Sequence, residues 1–303
     1  MQEGHRVVGI DNLNNYYNPV LKNLRLREVI GRLNPNFVFY KGDICQKDFL
    51  KTIFAKFRFD SIIHLAAQAG VRYSLENPSV YEKSNLEGTL NILEMARNYH
   101  HPRLIFGSSS SVYGNSKIVP FSEDNPCNDQ ISLYGATKKS GELMFKAYHH
   151  LFKIPSVILR FFTVYGPWGR PDMAIYSFTE KIIKGGKIEV YGLDTKRDFT
   201  YIDDIVEGIF KALQKKLNWE IINLGNSQPV ELKKLIDKLE ELIGKKAKVM
   251  ILPLPAGDVR TTYADISKAK KLLNWQPKTN FSQGLKYFTD WYKKEVIGNI
   301  LLS

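Results

Sequence analysis

Five short runs rich in β-branched and aromatic residues alternate with longer segments of helical length through the first half of the chain. The runs are RVVGID (6–11), NFVFYKGD (36–43), DSIIHLAA (60–67), RLIFGSSS (103–110) and SVILRFF (156–162), and the segments near 76–99 and 134–152 between them have helical composition. Strand, helix and strand in repetition require right-handed crossovers between parallel strands, so the expected fold class is α/β, a doubly wound parallel sheet. Ligands in that architecture bind beyond the carboxyl ends of the strands. After about residue 163 the rhythm loosens, and the turn-forming stretches YGPWGRPD, KGGK and LPLPAGD divide the chain into shorter elements. The expected division is therefore residues 1–162 and a smaller, discontinuous unit of 163–303, with part of 198–224 returning to the first. ELKKLIDKLEELIG reads as an amphipathic helix, with Leu232, Leu235, Ile236, Leu239, Leu242 and Ile243 on one face and Gly244 as its stop. Its apolar face makes it core.

The totals narrow the class. At 303 residues with a net charge of +12, the lysines are scattered through amphipathic helices rather than gathered in one tract. This favours a solvated basic surface or attraction to an anionic small molecule, and no nucleic acid partner. Cys45 and Cys127 are the only cysteines. Neither has a partner at metal-ligand spacing, which argues against a metal site and for a reducing compartment. No apolar run approaches the roughly 20 residues that span a bilayer, and the start lacks a signal-peptide pattern. The expected location is cytoplasmic, with no membrane partner.

Two local patterns carry chemistry. In YGATK, Tyr134 and Lys138 are four apart at the start of a helix and project from one face. An ammonium beside a phenol favours the phenolate, so the expectation is a Tyr134 pKa lowered enough for base catalysis. Just upstream, FGSSSSVYG ends an apolar strand in a row of serines, which sets hydroxyls at the carboxyl edge of the sheet. At the other end of the chain, RVVGIDN closes a strand on Asp11 and Asn12, a place where a dinucleotide ribose is commonly met.

The serine row followed by YGATK resembles the extended short-chain dehydrogenase/reductase family, and within it the nucleotide-sugar epimerases and dehydratases. The resemblance spans nearly the whole chain, through GDI (42–44), HLAAQAGVRYS (64–74), SNLEGTLNILEMA (84–96), RFFTVYGP (160–167), GRPDMA (169–174), RDFTYIDDI (197–205) and GDVRTTYADISKA (257–269). It implies that residues 1–162 hold NAD and that 163–303 bind a UDP-sugar. Tyr134 would then take the proton from the sugar 4-hydroxyl while C4 passes its hydride to the cofactor. Lys138 would hold the nicotinamide ribose, and Ser109 would hydrogen-bond the substrate. Asp11 and Asn12 correspond to adenosine-ribose contacts, Asp43 and Ile44 to the adenine pocket, Leu65, Ala66 and Ala67 to a small apolar cofactor wall, and Asn85 to a polar cofactor contact. An acidic Asp11 favours NAD over its 2'-phosphorylated form. The resemblance also implies a homodimer through the helices near 76–99 and 134–152.

Dehydratases of the family carry Asp and Glu in the triplet before VYG; here the triplet is Ser109, Ser110 and Ser111. Without a carboxyl group there, simple inversion at C4 is the expected reaction. Thr163 followed by GRPDMA is similar to the UDP-glucuronate 4-epimerases, and Arg170 is placed to clamp a carboxylate with two parallel hydrogen bonds. Oxidising C4 of glucuronate makes a β-keto acid, and a group that fixes the carboxylate away from the reactive alignment protects it from decarboxylation. Arg197 corresponds to a contact to the UDP phosphates, Asp258 lies in the nucleotide-binding loop, and Arg260 is a further phosphate candidate. The alternatives are a 4-epimerase of UDP-glucose or a UDP-N-acetylhexosamine.

One departure stands at the front. The family's pattern opens with a strand and Gly-x-x-Gly-x-x-Gly, whose amides meet the pyrophosphate, whereas these 303 residues start on what reads as the end of the following helix. The expectation is a gap between neighbouring strands and weak NAD retention. A reading of another class follows as well: a non-catalytic UDP-sugar-binding or scaffold protein.

Overall fold

A computed structural model of the chain describes residues 4–31, 36–255 and 257–298. The helix end expected at residues 1–3 lies outside the described residues. All five runs form strands. In chain order the first elements are β1 (Val7–Asp11), α1 (Pro19–Gly31), β2 (Phe37–Lys41), α2 (Lys47–Lys56) and β3 (Ser61–His64). Two short turns, α3 (Tyr73–Glu76) and α4 (Pro78–Tyr81), lead through a π-helical turn into α5 (Gly88–Asn98). Then come β4 (Arg103–Ser109), α6 (Leu133–Phe152), β5 (Ser156–Phe161), β6 (Thr163–Tyr165), α7 (Ala174–Ile183), β7 (Lys187–Tyr191), β8 (Lys196–Tyr201) and α8 (Ile202–Gln214). The chain continues with β9 (Trp219–Leu224), β10 (Pro229–Glu231), α9 (Leu232–Ile243), β11 (Lys248–Leu252), α10 (Ser267–Leu273) and α11 (Phe281–Trp291).

The central sheet is parallel, in the order β3-β4-β5-β9, and β1 pairs in parallel with β2. Successive side chains of a strand face opposite sides of the sheet, and β4 shows the consequence. Leu104 and Phe106 pack with Leu93 and Ala96 of α5 and Phe145 of α6, whereas Ile105 packs with Ile205 and Ala212 of α8 and Leu273 of α10. Helices therefore cover both faces, as the alternation of strand and helix required. Residues of β5 and β9, such as Val157, Leu159 and Ile222, are buried completely, in keeping with strands that read as continuous apolar runs.

No ladder joins β1 to β3 among the described residues, so the β1–β2 pair and the four-stranded sheet are separate, the gap expected between neighbouring strands. The pair is held instead through its helix: Leu50 and Phe54 of α2 pack with Ile92 and Met95 of α5 around Ile44, with Ile10 of β1 against the same cluster.

A second core gathers α7, α9 and α11 around β7 and β8. Leu232, Leu235, Ile236 and Leu239 of α9 are buried in it, and Leu242 and Ile243 pack against its margin. The helix stops at Gly244 in the left-handed conformation, φ 79°. Chain that follows β5 supplies both this core and β9, so the central sheet is completed by a segment from beyond residue 163.

Candidate active site

Strand β4 runs out into the site. Its last residue, Ser109, is still extended, and its hydroxyl accepts the Ser111 amide at 3.1 Å, capping the short 3-10 turn Ser110–Tyr113. That cap turns Ser109, Ser110 and Ser111 into a rim rather than a loose loop. Opposite them α6 begins at Ser132, whose hydroxyl accepts the Gly135 amide at 3.1 Å. Glycine is needed at 135 because a Cβ there would lie 2.6 Å from the Ser111 carbonyl oxygen. This close approach brings Tyr134 against the serine rim.

Behind the rim two successive positions of β4 engage α6. Lys138 Nζ donates to the Gly107 carbonyl at 2.7 Å, and Ser108 Oγ donates to Glu142 Oε1 at 2.7 Å. Arg160 of β5 grips the same carboxylate with Nε at 2.9 Å and Nη2 at 2.8 Å, in a pair that is almost fully buried. Arg160 also lies over the Tyr113 ring, 4.8 Å from its centroid, and the Tyr113 hydroxyl donates to Asn223 Oδ1 at 2.6 Å.

The electrostatics of Tyr134 differ from the sequence expectation. Burial raises its pKa, and the downward pulls that oppose it come from a hydrogen bond with Ser109 and the charge of Arg170. Lys138 is not among those pulls. Its amine is committed to Gly107, and burial lowers its own pKa to about 8 against a smaller upward pull from Glu142. The helical spacing placed both side chains on one face correctly, but a four-carbon stem ends where its ammonium finds an acceptor.

A cleft of about 590 Å3 opens in front of this rim. Ser109, Ser110, Ser111, Tyr134, Thr163, Arg170, Arg197 and Asp258 all line it, so the carboxyl end of β4, the start of α6, the first residues of β6 and β8 and two loops converge there. Arg197 donates to the carbonyls of Lys196 and Arg260, and burial lowers its pKa. Arg260 does not join the cleft: its side chain is largely exposed and pairs with Asp194 at 2.8 Å.

A smaller cavity of about 170 Å3 lies at the carboxyl ends of β1, β2 and β3, lined by Asp11, Asn12, Asp43, Ile44, Leu65, Ala66 and Ala67. Asn12 Nδ2 donates to Asp43 at 3.0 Å, and the Cys45 amide donates to the same carboxylate at 2.9 Å. Burial opposes ionisation of Asp43, but these bonds outweigh it and its pKa is lowered. A carboxylate at a strand end beside a polar amide and an apolar wall of small residues suits a nucleoside: Asp11 for ribose hydroxyls, and Ile44, Leu65, Ala66 and Ala67 for flat apolar surface. Asn85 lies behind this wall, where its amide brackets the Gln68 backbone at 2.8 and 3.0 Å and donates to Thr137 at 3.0 Å. It braces the wall and the helix that carries Lys138, rather than facing the cavity.

The structure adds residues that the sequence reading missed. Arg72 lines the larger cleft, pairs with Asp258 at 3.2 Å and lies 3.7 Å from the Tyr191 ring centroid. Tyr16 and Arg170 line both cavities. Asp172 binds Arg170 at 3.1 Å and accepts the Tyr16 hydroxyl at 3.2 Å. Arg72 and Asp172 sit inside patches already singled out, GVRYS and GRPDMA, so the signal was present without a partner to interpret it. Among the described residues no group of side chains could hold a metal ion.

Comparison with known proteins follows the same lines. The family model described as GDP-mannose 4,6 dehydratase matches residues 1–288. A UDP-glucuronate 4-epimerase of Thermodesulfobacterium geofontis is 47% identical over 298 residues, covering 98% of this chain and 91% of that protein. The crystal structure of UDP-glucuronic acid 4-epimerase from Bacillus cereus, in complex with UDP-glucuronic acid and NAD, superposes with a TM-score of 0.90 at 36% identity, over 96% of this chain and 92% of that one. The UDP-glucose 4-epimerase of Thermotoga maritima with UDP-glucose superposes with a TM-score of 0.87 at 30% identity, over 97% and 93%.

Proposed function

The chain belongs to the GDP-mannose 4,6 dehydratase family, and within it we propose that the protein is an NAD-dependent 4-epimerase that interconverts UDP-glucuronate and UDP-galacturonate. The observation that carries this reading is the cleft itself, which Tyr134, a serine triplet without a carboxylate and Arg170 line together. A relative named for this activity shares 47% identity with the chain, and a solved relative holds UDP-glucuronic acid and NAD in the matching fold.

Asp11, Asn12, Asp43 and Ile44, with the Leu65–Ala67 wall, are the residues suited to hold NAD, which supplies a hydride acceptor and donor when bound. Tyr134 removes the proton from the sugar 4-hydroxyl as C4 loses its hydride and, once the 4-keto sugar has turned its other face and C4 has regained a hydride, returns the proton to the 4-oxygen. Ser109 supports the phenolate by its hydrogen bond, and Lys138 and Asn85 fix the wall and helix that would border the cofactor. Arg197, with Arg72 beside Asp258, is placed for the pyrophosphate. Arg170 holds the carboxylate out of the alignment that releases carbon dioxide. Carboxyl groups at the rim would open a route to loss of water; with Ser109, Ser110 and Ser111 there, only inversion at C4 remains.

The split of the chain at 162/163 into cofactor and substrate units is part of the same proposal, as are a cytoplasmic location and a homodimer through α5 and α6. Leu90, Leu143 and Leu151 on those helices are exposed, which supports the dimer. No helix among the described residues is long and apolar enough to cross a membrane.

The second reading, a 4-epimerase of neutral UDP-hexoses, rests on the likeness to the UDP-glucose enzyme. Conversion of UDP-glucuronate, UDP-glucose and UDP-N-acetylglucosamine under one set of conditions separates them. The uronate reading predicts preference for UDP-glucuronate and loss of most of that preference in Arg170→Ala, at least about tenfold given the strength of charge-assisted pairs. Equal turnover of the three sugars, or an unaltered preference in the variant, refutes it.

A further inference from the structure

We propose that Asp172 is an internal stand-in for the substrate carboxylate: it occupies the Arg170 guanidinium until a sugar acid displaces it, and so sets the charge selectivity of the cleft. This rests on the reading that the cleft takes a UDP-uronate.

The geometry supports an exchange rather than a shared contact. Arg170 Nη2 meets Asp172 Oδ2 at 3.1 Å and Met173 Sδ at 3.3 Å. An arginine offers a carboxylate two parallel bonds along either of two edges, Nε with Nη2 or Nη1 with Nη2, and both edges use Nη2. Arg160 shows the first edge at work on Glu142 in this same molecule. Nη2 thus carries the ion pair to Asp172 and a hydrogen bond to Met173 at once, and a sugar carboxylate that takes Arg170 in the two-bond mode competes with Asp172 for it.

Asp172 is the group built to give way, since its side chain remains about one-third exposed and can turn into water. It is also held in place on its far side. The Tyr16 hydroxyl donates to the same Oδ2 at 3.2 Å, the Tyr16 ring packs on Tyr73 with centroids 4.7 Å apart, and the Arg170 guanidinium lies 5.9 Å from the Tyr16 ring. Burial and the neighbouring Asp172 push the Tyr16 pKa up to about 12, so Tyr16 stays a donor to the carboxylate throughout the neutral range. The loop is tied to α1 as well, through Arg25 Nη2 and the Gly169 carbonyl at 3.2 Å. A uronate entering the cleft exchanges one ion pair for another of the same type. A neutral sugar brings no charge to exchange, so Arg170 stays with Asp172. Specificity then comes from a competing contact inside the protein as much as from attraction to the right ligand.

The test is calorimetric titration of the full chain with UDP-glucuronate and with UDP-glucose. Asp172→Asn should bind UDP-glucuronate about fivefold tighter than the parent, the upper scale of one solvent-accessible charge contact, with UDP-glucose affinity unchanged within twofold. Asp172→Glu should return both affinities to parental values, and Tyr16→Phe should tighten uronate binding by a smaller factor. Weaker uronate binding in Asp172→Asn, or equal shifts for the two ligands, overturns the proposal, because Asp172 would then be a prop or a structural residue. The parent reading fails differently: the unaltered protein shows no preference for the uronate and Arg170→Ala changes nothing. A preference that Arg170→Ala abolishes and Asp172→Asn leaves untouched refutes the stand-in role alone.

Discussion

The role proposed for Tyr134 turns on opposing influences at one side chain. Burial works against ionisation, and the Ser109 hydrogen bond with the Arg170 charge works for it. The base is therefore mostly protonated at neutral pH, and activity should rise with pH toward the alkaline side. Removing the hydrogen bond in Ser109→Ala should move the rising limb of the kcat/KM profile to higher pH and lower the neutral rate by roughly 10- to 100-fold, within the range of acid–base contributions. A profile that keeps its position while the rate falls would show Ser109 acting on the substrate only. The tyrosine and serines were legible in the sequence because a strand end and a helix start are local features. Tyr16 and Asp172 were not, because they stand 156 positions apart and meet only through the fold.

At the scale of elements, the site is held by β4, β5 and α6 through the Glu142–Arg160 pair. With both members nearly fully buried, loss of Arg160 leaves the Glu142 carboxylate with only Ser108 and the less buried Lys139 as partners. Arg160→Leu should cost about 3–5 kcal/mol in chemical unfolding, and Glu142→Met with Arg160→Met should cost clearly less; equal losses would mean that volume, not charge, governs this layer. The pair also has a pH signature. Bonds and charge from Arg160, helped by Ser108, overcome burial and lower the Glu142 pKa below its ordinary 4.5. Its contribution is thus complete above about pH 4.5 and is lost as the pH falls through the lower folded-state value, a dependence that Glu142→Gln should remove. The sequence named the strand–helix succession correctly, since apolar runs and turn residues encode it. It gave no sign that Lys138 would end on the Gly107 carbonyl or that Arg260 would turn outward to Asp194, since long side chains follow their nearest partner.

Across the whole molecule the two cavities share the wall of Tyr16, Ala69 and Arg170, which sets the proposed nucleoside and sugar regions side by side. The doubly wound sheet was readable from alternation alone, and the missing ladder between β1 and β3 from the absence of a glycine-rich turn among the opening residues. Because the gap leaves the nucleoside cavity formed by side chains and strand ends, the 303-residue chain should leave purification with well under one equivalent of NAD and depend on added NAD for turnover. Stoichiometric NAD on the purified chain, measured by absorbance after denaturation, would contradict this. The most direct test of the central claim is nuclear magnetic resonance of UDP-glucuronate incubated with the chain and excess NAD. The account predicts signals of UDP-galacturonate growing to equilibrium, and none with Tyr134→Phe; inversion at C4 that persists in that variant would contradict it.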